Sequence, residues 1–345
     1  MPKIPLEKIK KVLIVRPEMI GDIIILTPLV SAIKNAIPGV QITLLIQPQT
    51  EDVIKNNPEI NNYIFTKKKT TLSEKIELFN IIRAEKFDLS IVFEDNPTPE
   101  YALLCFLAGI PYRIGDKARI LYGWAYNYGV WLNSSDPQPH QIELYSHLLE
   151  PLAISNVKLD LQLHTDEASE NEVSQILEKH DLKNSTLVGL HIGTGGGDRP
   201  LLPQTYAMIS DAIQDKMKCS VVLLGGKKEV ETEKKIKTFA KRPFVSLVDK
   251  LSLSGLFALM DYLNVFIGVN SGPLHAASAK KVPVVAIYVA NDVRVERWLP
   301  WMTKYTIIRS KNDCKLPCKH RECTFDYCTS AVDPEEVVEA AVNLL

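Results

Sequence analysis

Asp22 is the first residue whose type and placing could do chemistry. It closes Pro17-Glu18-Met19-Ile20-Gly21-Asp22, a predicted loop between the strand-like Lys11–Arg16 (KVLIVR) and the amphipathic stretch Ile23–Ala36. A carboxylate at the carboxyl end of a strand can take a proton from a hydroxyl, work that contributes on the order of 10²–10⁴ in rate. Asp at the start of a helix is also a common N-cap, so both roles stand at this point. A second candidate is Asn270-Ser271-Gly272-Pro273 with His275 one turn on, between predicted strands Asn264–Val269 and Val282–Tyr288. Ser271 or Asn270 can cap the short helix, and Gly272 lets backbone approach a ligand closely. The free N–H groups of the helix start suit an anion such as a phosphate. Taken alone, the stretch reads slightly better as a tight turn with a core histidine.

Two glycine-rich segments follow other predicted strands. Gly193-Thr194-Gly195-Gly196-Gly197-Asp198, after Thr186–Ile192, misses the dinucleotide fingerprint because Asp198 holds the third glycine position and the next helix starts only at Pro203. The strand and glycine context still favours an anion held by backbone. Gly225-Gly226-Lys227-Lys228-Glu229 offers a carboxylate at a strand end, where an acid can accept from both hydroxyls of a ribose. A solvated Glu229 is the plainer reading. No G-x-x-x-x-G-K-[ST] motif occurs, which argues against a P-loop hydrolase.

The elements that must position these residues are two strand–turn–helix–strand units, one near each end of the chain. Each belongs to a parallel sheet. The expected fold is α/β, with two doubly wound domains facing each other across a cleft, a boundary between about Ser155 and Asp166, and a capped C-terminal helix at Asp333–Leu345. At 345 residues the chain has room for two domains. Its 40 basic and 41 acidic residues give a net charge of −1, so no nucleic-acid partner is expected. No apolar run is long enough to span a bilayer, and the N-terminus lacks a signal-peptide core. A cytoplasmic location is the expectation, with any membrane contact peripheral.

Four of the six cysteines cluster as Cys314-x3-Cys318-x4-Cys323-x4-Cys328. The spacing lacks the paired C-x2-C of strong zinc patterns, and a reducing cytoplasm disfavours disulfides. Structural zinc, redox-labile disulfides and unligated thiols stay open. Cys105 and Cys219 are expected in apolar packing.

Val12–Pro28, His140–Tyr145, Leu223–Glu229, Gly268–Ala277, Trp298–Pro300 and the cysteine segment running into Asp333-Pro334-Glu335-Glu336 together resemble glycosyltransferase family nine, the lipopolysaccharide heptosyltransferases. The resemblance covers nearly the whole chain. It implies a GT-B fold of two Rossmann-like domains, 1–160 for the acceptor and 161–330 for the nucleotide sugar, with a C-terminal helix at 331–345 packing back on the first. It implies inverting transfer of heptose from an ADP-activated donor to the lipopolysaccharide inner core, at the inner face of the inner membrane. Asp22 matches the family's probable base. Thr194, Glu229, Asn270, Ser271, Gly272 and His275 fall at the donor. Arg199 is the candidate for a charge the family usually takes from a Lys one position later, where this chain has Pro200. Arg16, Arg113, Lys117 and Arg119, with the Lys67–Lys69 run, are assigned to an anionic acceptor, although a solvated face explains that run equally. No cofactor is required, and no Asp-x-Asp pair of the metal-held sugar-nucleotide kind occurs. The alternatives are a transferase using another nucleotide sugar and a non-catalytic nucleotide- or sugar-binding protein.

Overall fold

Lys11–Val15 (β1) is the strand on which the first half of the chain is built, because Val12 to Val15 are apolar throughout and wholly buried. A strand covered on both faces reads as a continuous hydrophobic run. The computed structural model describes residues 3–67, 70–93, 99–117, 122–132, 139–155, 157–291, 294–312, 314, 318 and 323–345. The chain separates into two compact units, Met1–Gln162 and Leu163–Leu345.

In the first unit β1 is joined by β2 (Gln41–Ile46), β3 (Asn62–Phe65), β4 (Leu89–Val92), β5 (Tyr112–Asp116) and β6 (Tyr128–Val130). The order is β3-β2-β1-β4-β5-β6 and every neighbouring pair is parallel. In the second unit β7 (Leu187–His191), β8 (Ser220–Leu224), β9 (Val245–Ser246), β10 (Val265–Val269), β11 (Val284–Tyr288) and β12 (Tyr305–Arg309) run β12-β11-β10-β7-β8-β9, again all parallel. Read from the third strand of each unit, the two orders are the same. In both, the first strand lies beside the fourth, so connections diverge to opposite sides there and leave a crevice at the strands' carboxyl ends. The expected pair of doubly wound α/β units is therefore present.

Some local expectations need correction. The first helix begins at Ile20, so Asp22 lies inside its first turn and not in the preceding loop. Val157–His164, expected to be strand-like, forms no strand among its described residues. Strands β5, β6 and β12 extend the sheets beyond the strands expected from sequence; β6 has only 3 residues, too short to show alternation. The C-terminal helix Pro334–Leu344, expected to pack back on the first domain, is part of the second unit. Its Val337, Val338, Ala340 and Ala341 join the core of the second unit, beside Pro203–Lys216 and the β10–β12 side of the sheet. Asp333 caps it by accepting from Glu335 N at 3.0 Å.

Candidate functional site

At the β1/β4 reversal of the first unit, the residue after β1 is Arg16, with no exposed surface. A guanidinium there must be paired, since an isolated buried charge is very costly. Its Nη1 donates to Phe93 O at 2.8 Å and to Tyr145 Oη at 2.6 Å. The same nitrogen lies 2.6 Å from the Glu18 carboxylate, and Nη2 donates to Asp22 Oδ1 at 2.7 Å. The guanidinium carbon sits 5.0 Å from the Tyr145 ring centroid. One side chain thus ties together the ends of β1 and β4, the first turn of Ile20–Ala36, and the Gln141–Ser146 helix.

Asp22 Oδ2 accepts from Met19 N at 2.8 Å. Met19 is the N-cap and Asp22 the third helical residue, whose acid reaches back to an unsatisfied amide. Both oxygens are held, yet each keeps lone-pair capacity. The Asp22 side chain is 12% exposed against 0% for Arg16, so it is the member of the pair that a substrate can touch.

Arg16, expected at the acceptor, is instead wholly internal. Arg113 is also engaged: Nε donates to Ala125 O at 2.7 Å, Nη1 to Ile110 O at 2.5 Å, and its guanidinium lies 5.3 Å from the Phe106 ring centroid. Partial burial lowers its pKa from the ordinary value. Lys117 is exposed, while Lys67 pairs with Glu74 at 2.6 Å. Arg119, Lys68 and Lys69 lie outside the described residues.

At the β7/β10 reversal of the second unit, Gly195 and Gly196 take left-handed φ values of +56° and +84°. The turn closes through Gly197 N to Thr194 O at 3.0 Å and Gly196 N to Thr194 Oγ1 at 3.2 Å. A Cβ on Gly197 would fall 2.8 Å from Asn270 O, so the two loops touch backbone to backbone. A Cβ on Gly193 would meet the His191 ring at 3.1 Å and the Glu229 carboxyl carbon at 3.3 Å. Glu229, after β8, folds back to accept from Gly226 N at 2.9 Å. Asp198 accepts from Arg199 N at 2.7 Å, Val289 N at 2.9 Å and Ala290 N at 2.8 Å, joining this loop to the end of β11.

Asn270 and Ser271 lead into the helix Gly272–Ala279. Ser271 is its N-cap, but the side chain makes no capping hydrogen bond. Ser271 Oγ and His275 Nδ1 are buried without a hydrogen-bond partner among the described residues. His275 is 2% exposed, and burial holds its pKa down at about 4, so the ring is uncharged near neutrality. It rests edge-on against Trp298, with centroids 5.9 Å apart. His191 has the same character: its Nδ1 is unpartnered among the described residues, and burial again holds its pKa at about 4. Amides at a helix start, close-packed glycine backbone, an idle hydroxyl and neutral imidazoles make a cradle for an anionic group.

Arg199, expected beside the donor, points elsewhere. Nη1 donates to Cys328 Sγ at 3.2 Å, to Cys323 Sγ at 3.8 Å and to Phe325 O. Nη2 lies 3.6 Å from Asp326 Oδ1. The sequence reading also missed residues that the fold puts to use. His191 ends a strand directly before the glycine loop, a position that could have marked it. Asp198 was seen only as a broken fingerprint, and Glu18 only as part of a loop.

A family model for glycosyltransferase family 9 (heptosyltransferase) matches residues 76–328, well over half of the chain. Lipopolysaccharide heptosyltransferase 3 of Escherichia coli K12 is 27% identical over 346 aligned residues, spanning 94% of this chain and 95% of the relative. A solved family 9 glycosyl transferase from Veillonella parvula superposes with a TM-score of 0.83 at 21% identity, over 97% of both chains. The E. coli heptosyltransferase WaaC, solved with ADP, superposes with a TM-score of 0.68 at 15% identity, over 97% of this chain and 98% of that one. With the doubled parallel sheets and the glycine-lined crevice, the match places this enzyme by descent: the chain belongs to glycosyltransferase family 9, the heptosyltransferases.

Proposed function

We propose that this enzyme transfers a heptose from an ADP-activated donor to the inner core of lipopolysaccharide, inverting the anomeric carbon, with Asp22 as the base. The observation that carries the donor half is the pair of buried, unpartnered polar atoms, Ser271 Oγ and His275 Nδ1, at the start of the Gly272–Ala279 helix. A buried polar atom left idle costs free energy, and a phosphate oxygen would engage it. The name of the E. coli relative supports lipopolysaccharide as the setting, and the ADP of the WaaC structure supports the nucleotide.

The chemistry needs no covalent intermediate. The acceptor hydroxyl oxygen bonds to the anomeric carbon as the bond from that carbon to the diphosphate breaks. The hydroxyl proton passes to Asp22, and the electron pair leaves on ADP. Arg16 and Met19 N fix the carboxylate's direction, so little orientation is lost in reaching the transition state. Thr194, Asn270, Gly272 and the helix amides take the growing charge on the diphosphate. Ser271 and His275 donate to phosphate oxygens, and Glu229 accepts from the ribose hydroxyls. Lys117 and Arg119 meet the anionic acceptor. The enzyme works from the inner face of the inner membrane as a peripheral protein; among the described residues no helix is long and apolar enough to cross a membrane.

Calorimetry with ADP, UDP and GDP tests the donor. Selective binding of ADP is the expected result, and selective binding of UDP or GDP overturns the assignment. Heptose transfer to a core-truncated lipopolysaccharide, followed by mass, tests the acceptor class; binding of ADP without such transfer removes it.

A further inference from the structure

We infer that Gln141 determines specificity for the acceptor sugar: its side-chain amide takes a pair of neighbouring hydroxyls beside the one that attacks, an assignment that rests on Asp22 being the base. Gln141 is 1% exposed, and neither Oε1 nor Nε2 has a hydrogen-bond partner among the described residues. A primary amide can donate twice and accept twice. Leaving all of that idle in the interior costs free energy, and an apolar side chain of similar size would fill the space without that cost.

The start of the Gln141–Ser146 helix does not need this amide. His140 Nδ1 accepts from Ile142 N at 3.2 Å, and Glu143 Oε2 accepts from His140 N at 3.0 Å, so the capping is already done by the residues on either side.

The direction of the helix places Gln141 at the crevice. One turn on, Tyr145 Oη accepts from Arg16, and Arg16 also donates to Phe93 O, so Tyr145 lies at the carboxyl ends of β1 and β4. Further along, Pro151 O accepts from Ile4 N, in the segment that leads into β1. The chain therefore runs from the carboxyl end of the sheet towards its amino end. Residues four apart share a helix face, so Gln141 stands on the Tyr145 side, about 6 Å further past the strand ends. Asp22, in the first turn of Ile20–Ala36, stands past the end of β1 as well, and the two helices pack together.

The chemistry of the head group selects the ligand. A lysine or arginine here would favour a phosphate or carboxylate. A neutral amide offers a donor and an acceptor side by side, which fits two adjacent sugar hydroxyls, one accepting from Nε2 and the other donating to Oε1. No existing hydrogen bond has to break for the amide to turn to them. Away from water such bonds also gain strength.

Kinetics of the full chain with core-truncated lipopolysaccharide as acceptor, beside urea unfolding, tests the assignment. Gln141→Leu should raise the acceptor's KM at least about tenfold, with kcat within about threefold and ADP affinity within error. Its urea midpoint should stay level or rise, because the substitution breaks no hydrogen bond and removes a burial cost. Gln141→Met, straight-chained and closer in shape, serves as the second variant should leucine not fit. Unchanged acceptor KM in a folded variant overturns the assignment. So does a lower midpoint in both variants, since the amide then holds the fold through an ordered water. A wild type that transfers nothing to this acceptor brings down the proposed function and this assignment with it; a wild type that transfers, beside variants with unchanged KM, brings down this assignment alone.

Discussion

Arg16 donates to Asp22 across 2.7 Å, and the two differ in exposure: the arginine is sealed inside the first unit while the aspartate keeps an edge at the surface. The pair divides its labour. The buried partner fixes direction, and the surface partner is the one proposed to act as base.

Asp22→Asn should leave the fold and ADP affinity unchanged and lower heptose transfer at least about 100-fold, the smaller end of a general base's contribution. Asn fills the same volume but cannot take the proton. Steady-state kinetics beside calorimetry checks this, and transfer within a few-fold of wild type would remove Asp22 from the base role.

Arg16→Ala should cost stability first. It removes the guanidinium that pairs with the Asp22 and Glu18 carboxylates and that donates to Phe93 O and the Tyr145 hydroxyl. Breaking a buried pair from one side costs about 3–5 kcal/mol. Urea unfolding measures the loss; Arg16→Lys should recover only part, because an ammonium cannot fork to all four partners.

The buried histidines set a pH dependence. His191 and His275 are held at about 4, whereas the unfolded chain binds these protons at about 6.5. Their stabilisation is whole above about pH 6.5 and is lost as pH falls towards 4, with a slope of up to about 1.4 kcal/mol per pH unit for each. His275→Gln should remove one histidine's share of that slope. Unfolding curves for wild type and variant at several pH values across the window give the difference directly.

Gly197→Ala should weaken ADP binding at least tenfold with little change in the fold. The added carbon would lie 2.8 Å from Asn270 O, a backbone atom, so the two loops must part. Separating them disturbs the proposed phosphate cradle, and calorimetry against wild type reads the effect.

Arg113→Ala should lower stability by about 1–3 kcal/mol, the range for lost hydrogen bonds from a charged donor. Its Nε and Nη1 serve the carbonyls of Ala125 and Ile110. Acceptor KM should respond more to Lys117→Ala, whose side chain is exposed. A larger acceptor effect from Arg113→Ala, without loss of stability, would reverse that order.

Strands buried on both faces, such as β1, β7, β8, β10 and β11, are plain in the sequence because each is an apolar run with at most one polar residue, at its end. Strands β5, β6 and β12, towards or at the sheet edges, carry Arg, Gly or Tyr and lack that signal. Asp22, Ser271, Gly272 and His275 could be named from type and spacing, since loops after strands are where chemistry gathers. What could not be read was where long side chains turn. Arg16 and Arg199 look alike as charges beside a site, yet partners 129 residues away in sequence claim each guanidinium. The C-terminal helix was misplaced for a similar reason: its apolar face shows that it packs, and says nothing about which unit receives it.

Asp198 has a kinetic consequence. Because its carboxylate takes three backbone amides, two of them beyond β11, the glycine loop of the proposed nucleotide site is anchored at its far end in the unliganded protein. A preorganised loop loses little conformational entropy on capture. Nucleotide should then associate at a rate governed by diffusion and orientation, without waiting for a segment to order. Variants within the loop should differ chiefly in how long the nucleotide stays, so residence time will rank them where association rates cannot.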